Sequence, residues 1–391
     1  MTHRLLPAGF WLLTACGASL DPAADPAIAA TERLSAMVED DLPGIQYVVV
    51  DRDGVVFDAA LGVRDTASRQ PMERDTLQMA YSMTKAVTAV AVMKLVDEGK
   101  MGLDEPLSTY FAEHPYGDAV TIRSLLAQTS GVPNPMPLDW LAVEGVSFDR
   151  HERLQAELSA HPTLDHDAGD AYAYSNLSYW LLEEAVERAS GMDYAEYVEQ
   201  SLFEPLAIDT EQARFTLGKP AVSATGHSKR LSLMTLVTSF MAPSEYWQET
   251  SDGWKRTARV LPHGRAYGGL FTSASALGTL LHDLLQEQPV SLSRTAKDTM
   301  FRQQRTRGGE PIDMTLGWVI GELRGARYFG KQGGGLGFHG NVRIYPELGL
   351  ASAMLANGTE LSPGPIDARS DELDEAFVIS RQHAAASRSS P

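Results

Sequence analysis

The sequence predicts an α/β fold in which strand patterns at the two ends of the chain enclose a helical middle. Short runs rich in β-branched residues, bounded by turn signals, occur near the start and again in the last third. The segment between them carries mainly helix-period apolar patterns. At 391 residues the chain suits two domains or one large composite. Hydrophobic residues at 43% and charged residues at 21% are ordinary globular usage and speak against a disordered chain.

Taken in order, residues 31–41 are predicted helical. Ile45 to Val50 and Val55 to Leu61 read as two strands around the Asp53-Gly54 turn. From Ser82 to Glu98, Val87, Val90, Val92, Met93 and Val96 mark a helix, and Gly99 is its stop signal. Between 117 and 262 strand-like runs are few, and Tyr179 to Ser190 reads as a helix with Gly191 behind it. A further helix, Ser273 to Leu285, follows Tyr267-Gly268-Gly269. Strand patterns return at Leu316 to Leu323, Asn341 to Tyr345 and Leu350 to Ala356, and a final helix is predicted around 368–383. This gives an α/β domain over 31–116 plus 263–383, a helical domain over 117–262 and a disordered tail over 384–391.

The N-terminus reads as an address label. A basic start at Arg4 and a mostly apolar run from Leu5 to Leu13 describe a secretory signal, too short to span a bilayer. Leu13-Thr14-Ala15-Cys16 resembles the lipobox of bacterial lipoproteins, so residues 1–15 are expected to be removed and Cys16 to be lipidated. An ordinary signal peptide with a chance cysteine is the competing reading. Residues 16–30 then form a flexible tether. Gly17 in place of Asp resembles the outer-membrane-sorted kind, which implies a lipid-anchored protein of the bacterial cell envelope facing the periplasm.

Composition narrows the chemistry. A net charge of −18 repels phosphate backbones, and without a local basic patch nucleic acid is not an expected partner. A single cysteine rules out an internal disulfide framework, a thiolate zinc cluster and an iron–sulfur site. The run from Gly325 to Lys331 fits most of a phosphate loop, but Gln332 stands where a Ser or Thr is needed. His161, Asp165, His166 and Asp167 lack a zinc-helix spacing and read as a solvated loop. No Gly-x-Ser-x-Gly elbow is present, against an α/β-hydrolase triad. No metal or cofactor is expected.

Three short patterns carry the chemistry. Ser82-Met83-Thr84-Lys85 opens the long helix and puts hydroxyl and amine on one face, about one turn apart. The helix N-terminus favours an alkoxide at Ser82 and a neutral Lys85. Tyr174-Ser175-Asn176 comes second. A tyrosine acts as base only where cations hold down its pKa, and a shift of about three units needs roughly 4 kcal/mol, which two lysines could supply. Third is Lys331-Gln332-Gly333, which begins a glycine-rich run. A lysine on a strand edge followed by glycines lets a substrate approach the backbone, with amide N–H groups aimed at an oxyanion.

In this order and spacing the patterns resemble the serine β-lactamase and penicillin-binding-protein superfamily, most closely its class C branch of β-lactamases, DD-peptidases and family VIII carboxylesterases. Thr121 to Leu126, Thr129 to Pro133, Leu316-Gly317-Trp318 and Gly268 to Phe271 fit as well. The resemblance implies an antiparallel sheet flanked by helices with an inserted, mostly helical domain. It implies Ser82 as the acylated nucleophile, Lys85 as its proton partner and Tyr174 as the base for Ser82 and later for water. Asn176 would hydrogen-bond the acyl side chain, and Lys331 would keep Tyr174 acidic and attract a substrate carboxylate. Gln332 and Gly333 would line the substrate site, and the N–H groups of Ser82 and Gly334 would form the oxyanion hole. Gln332 departs from the usual Thr or Ser, which weakens the expectation of β-lactam hydrolysis. A serine hydrolase of esters or peptides, working on a small-molecule ester, amide or peptide, is thus expected first. A β-lactamase, or a catalytically quiet penicillin-binding or envelope lipoprotein, is the alternative. The oligomeric state is left open.

Overall fold

The computed structural model describes residues 25–40, 42–135, 139–229, 242–359 and 363–389. The predicted leader, Cys16 and residues 17–24 of the tether lie outside the described residues. Six strands form the main sheet: β1 (Gly44–Asp51), β2 (Val55–Gly62), β3 (Val319–Leu323), β4 (Ala326–Gly334), β5 (His339–Tyr345) and β6 (Leu350–Ala356). They lie in the order β3-β4-β5-β6-β1-β2, with every pair antiparallel. The β1–β2 hairpin turns where Asp51 Oδ1 accepts the amides of Asp53 and Gly54, at 2.8 and 3.1 Å. β1 also pairs with β6, Ile45 opposite Ala356 and Asp51 opposite Leu350, so the two ends of the chain close one sheet around the middle.

Both faces of the sheet are covered, which explains the nearly unbroken apolar runs in β1 and β6. Ile45, Tyr47 and Val49 pack under α1 (Pro26–Asp40) and the C-terminal helix α5 (Pro363–Ser389), against Leu34, Leu373 and Phe377. Val48 and Val50 face the other core with α2 (Thr84–Asp97) and α4 (Ala274–Leu285). Every residue of α2 from Thr84 to Met93 is buried, so this helix is a pillar of the interior rather than an amphipathic surface element. α3 (Asn176–Ser190) packs against it, capped at its start by Ser175 and closed by Gly191 in the left-handed conformation.

Several boundaries differ from the sequence expectation; the strand expected from Leu316, for one, begins only at Val319. α1 begins at Pro26, taking the last residues of the predicted tether; Asp25 caps it through Ala27 N, and Pro26 suits a first helical turn. α5 continues to Ser389, so residues 384–389 of the predicted disordered tail are helical, consistent with the propensity of Ala384-Ala385-Ala386. The inserted region is not helical throughout: Leu141–Val143 is a short strand paired with Val260–Pro262. Beyond Leu206 it contains short strands, including the hairpin Trp247–Ser251 with Trp254–Thr257, and a four-stranded sheet that borrows Gly358–Thr359. Asp252 and Gly253, both at positive φ, supply that hairpin's turn.

Candidate active site

Ser82 sits in the single 3₁₀ turn Tyr81–Met83 that leads into α2. The residue before it, Tyr81, has φ +44°, an uncommon conformation for an aromatic residue and a mark of local strain beside a functional group. The buried ring is held by its hydroxyl, which donates to Leu336 O at 3.1 Å. β4 presses against the same turn. A Cβ at Gly333 would stand 2.0 Å from Ala80 O and 2.8 Å from Met83 N, so only glycine fits there. This contact brings the Lys331–Gly334 segment alongside Ser82, and Ser82 and Gly334 line the same cavity.

One turn into α2, Lys85 is fully buried. Its Nζ lies 2.7 Å from Asn176 Oδ1, 2.6 Å from Tyr267 O and 3.1 Å from Ser82 Oγ. Asn176 is the first residue of α3, and its own N–H donates to Asn134 Oδ1 at 2.9 Å. Tyr174 stands just before the helix, its Oη 2.6 Å from Ser82 Oγ and 3.1 Å from Asn176 Oδ1. The side-chain amide of Gln128, a residue at φ +60°, bonds both the N–H and the carbonyl of Ser175, and so fixes the link between Tyr174 and Asn176. Lys331 completes the group from β4, buried, with Nζ 5.0 Å from the centre of the Tyr174 ring. Lys85 Nζ is also 5.0 Å from that centre.

Burial first, and then the Lys331 cation, push the Lys85 amine well below the usual lysine range. Lys85 Nζ donates to both carbonyl-type oxygens and to Ser82 Oγ, and release of one of these protons would leave a lone pair beside the Ser82 hydroxyl. Burial also lowers Lys331, to about 8, leaving it mostly cationic at neutral pH. Tyr174 moves the other way. Burial raises it above the ordinary phenol value and outweighs the hydrogen bond from Ser82, so the resting site holds a phenol. The expected depression of Tyr174 by two lysines is therefore not the resting state. One of those lysines is itself pushed toward its neutral form.

The cavity beside Ser82 has a volume of about 550 Å³ and is walled by Tyr172, Tyr174, Lys331, Gln332 and the glycines 333–335. It runs on past Val319 and Tyr328 to Asn341 and Asp367. Ser82, Tyr174, Lys331, Gln332, Gly333 and Gly334 thus meet at one cavity, as the sequence predicts. Lys85 and Asn176 stand behind that wall, and the Asn176 carboxamide oxygen is already engaged by Lys85 and Tyr174. Sequence reasoning missed Tyr267, whose contribution is a backbone carbonyl that any residue could supply. It also missed Gln128, although the neighbouring Thr129 to Pro133 run was noted.

A sequence profile of the family described as Beta-lactamase matches residues 29–376. The chain belongs to the Beta-lactamase family. Penicillin-binding protein 4* of Bacillus subtilis (strain 168) is 26% identical over 277 residues, 68% of this chain and 57% of that protein. Protein flp of Staphylococcus aureus (strain N315) is 26% identical over 208 residues, 50% of this chain and 41% of its own length. The chain spans about half the length of these curated relatives. Among solved structures, D-amino acid amidase from Ochrobactrum anthropi SV3 complexed with L-phenylalanine superposes with a TM-score of 0.75 at 19% identity, covering 90% of this chain and 99% of that one. The penicillin binding protein from Bacillus halodurans gives 0.69 at 25% identity, covering 88% and 98%. The fold is therefore the β-lactamase/transpeptidase-like one, and within the family the chain falls in the class C-like group that holds penicillin-binding proteins and amidases.

Proposed function

We propose that this Beta-lactamase family member is a serine hydrolase that forms an acyl-enzyme at Ser82 and acts on small amide, peptide or ester substrates. The observation that carries this reading is the buried Lys85 amine, which reaches Asn176 Oδ1, Tyr267 O and Ser82 Oγ, the last at 3.1 Å. In the first step Lys85 takes the Ser82 proton as Oγ bonds to the substrate carbonyl carbon. The oxygen that becomes negative would be met by the N–H groups of Ser82 and Gly334. The bond to the leaving nitrogen or oxygen then breaks. Tyr174 gives its phenolic proton to that group and takes back the one held by Lys85. Water repeats the sequence in reverse, breaking the acyl–Oγ bond and returning the proton to Ser82.

Gln332 on the cavity wall supports amides and esters ahead of β-lactams, because it replaces the hydroxyl that lactam-hydrolysing relatives use. The fold of an amidase complexed with L-phenylalanine amide supports the same class. The cell-envelope location and the lipid at Cys16 belong to this proposal too. The deciding experiment compares the protein with Ser82→Ala on a short-chain nitrophenyl ester, an amino-acid amide and a chromogenic cephalosporin. Ester or amide turnover that vanishes in the variant, with little cephalosporin cleavage, is the expected result. Fast cephalosporin turnover with feeble ester hydrolysis would reverse the ranking. Failure of a fluorophosphonate to label Ser82 would favour a catalytically quiet binding protein.

A further inference from the structure

Glu183 is a buried carboxylate, 2% exposed, that the acyl-transfer chemistry does not use. It lies seven residues after Asn176 on α3, two turns along the same face. Its Oε2 accepts the backbone N–H of Arg265 at 2.5 Å and of Ala266 at 2.9 Å. The next residue, Tyr267, presents the carbonyl that Lys85 bonds at 2.6 Å. The turn is tight: Gly269 N donates back to Arg265 O at 2.7 Å, and a Cβ at Gly269 would stand 2.8 Å from Arg265 Cα. Ala266 O is tied in turn to α2 by the Thr88 hydroxyl at 2.7 Å. α3 therefore controls both carbonyl-type acceptors of the Lys85 amine, one directly through Asn176 and one through the Glu183 carboxylate.

We propose that Glu183 is a positioning residue for Lys85: its carboxylate holds the Arg265–Ala266 backbone so that Tyr267 O fixes the Lys85 amine against Ser82 Oγ. This rests on the serine-hydrolase reading. A carboxylate does this better than a neutral group because both of its partners are donors, and charge-assisted bonds to backbone N–H are the stronger kind. The groups facing it are Arg265, whose guanidinium is also paired with Asp193, Arg150 at the start of its helix, Glu187 on α3 itself, Tyr194 and Tyr267. Burial pushes the Glu183 carboxyl up to about 7, against the pull of Arg265 and Arg150. Protonation removes the charge that strengthens both bonds to Oε2, so the hold on Lys85 through Tyr267 weakens as pH falls through that region.

The test uses the full chain and two readouts between about pH 5 and about pH 9: the rate at which a fluorophosphonate labels Ser82, and turnover of a short-chain nitrophenyl ester. Glu183→Gln keeps the shape but turns an NH₂, or an uncharged carbonyl oxygen, toward the two donors. The expected result is slower labelling and a kcat lowered about ten-fold, with KM within about two-fold and the acid limb near pH 7 gone. Thr88→Val loosens the same turn from its other anchor and should slow labelling while leaving that limb in place. It serves as the readout if Glu183→Gln does not fold. Glu183→Gln with unchanged rates, or with lowered rates and the wild-type acid limb, overturns the proposal. Wild-type protein that neither labels nor turns over the ester overturns the hydrolase reading beneath it.

Discussion

Lys85 and Lys331 lie in one site, yet their surroundings push them to different charge states. Full burial and the neighbouring Lys331 cation push Lys85 toward the neutral form, while Lys331, at about 8, keeps its proton at pH 7. Lys85→Arg, which cannot be neutral, should lower kcat/KM for an ester by about 10²–10⁴ without unfolding the protein. A variant retaining a tenth of wild-type activity would rule out Lys85 as the base. Glu183 supplies a prediction of opposite sign for stability. Its folded pKa is raised, so the native state binds the extra proton and stability falls as pH rises from about 4.5 to about 7, by roughly 3 kcal/mol at most. Denaturant melts across that range should show this slope in the wild type and a shallower one in Glu183→Gln. That Ser82, both lysines, Tyr174 and Asn176 would lie together was legible in sequence because each belongs to a short pattern. The state of Tyr174 was not legible, because it depends on burial created by residues far along the chain.

At the scale of elements, the 3₁₀ turn and β4 meet with no room between them. Gly333→Ala places a methyl 2.0 Å from Ala80 O, so β4 or the Ser82 turn must shift. The expected outcome is loss of at least about 2 kcal/mol of stability and near-complete loss of ester hydrolysis, read by thermal melting and kinetics. The β1–β2 hairpin and α2 were readable because their signals are local: a turn at Asp53-Gly54, and a helical apolar run ending at Gly99. The short strands beyond Leu206 were not. His227–Lys229 pairs with Gly358–Thr359, a partner more than a hundred residues away that no local pattern announces. The start of α1 was missed for a related reason, since Ala-rich sequence ahead of it reads equally as tether or helix.

For the whole molecule, no described helix is long and apolar enough to cross a membrane, so membrane attachment in the proposed reading depends on Cys16. Cys16→Ser should move the protein from the membrane to the soluble fraction and abolish incorporation of labelled palmitate, while leaving ester hydrolysis in lysates unchanged. Retention of the variant in the membrane fraction would refute the anchor. The formal net charge, −18 over the chain, disfavours anionic macromolecules.

The pairing of β1 with β6 also sets the order in which the molecule can mature. A chain being synthesised exposes Ser82 early, but β1 has only its hairpin neighbour until residues 350–356 have been made. Lys331 and the Gly333 contact arrive only shortly before that. On the proposed chemistry, the Ser82 site can be completed only after these strands have been made, and nascent chains ending before Leu350 should be inert toward a fluorophosphonate. Such long-range closure slows folding, and it would keep Ser82 silent until the strands around residue 350 exist.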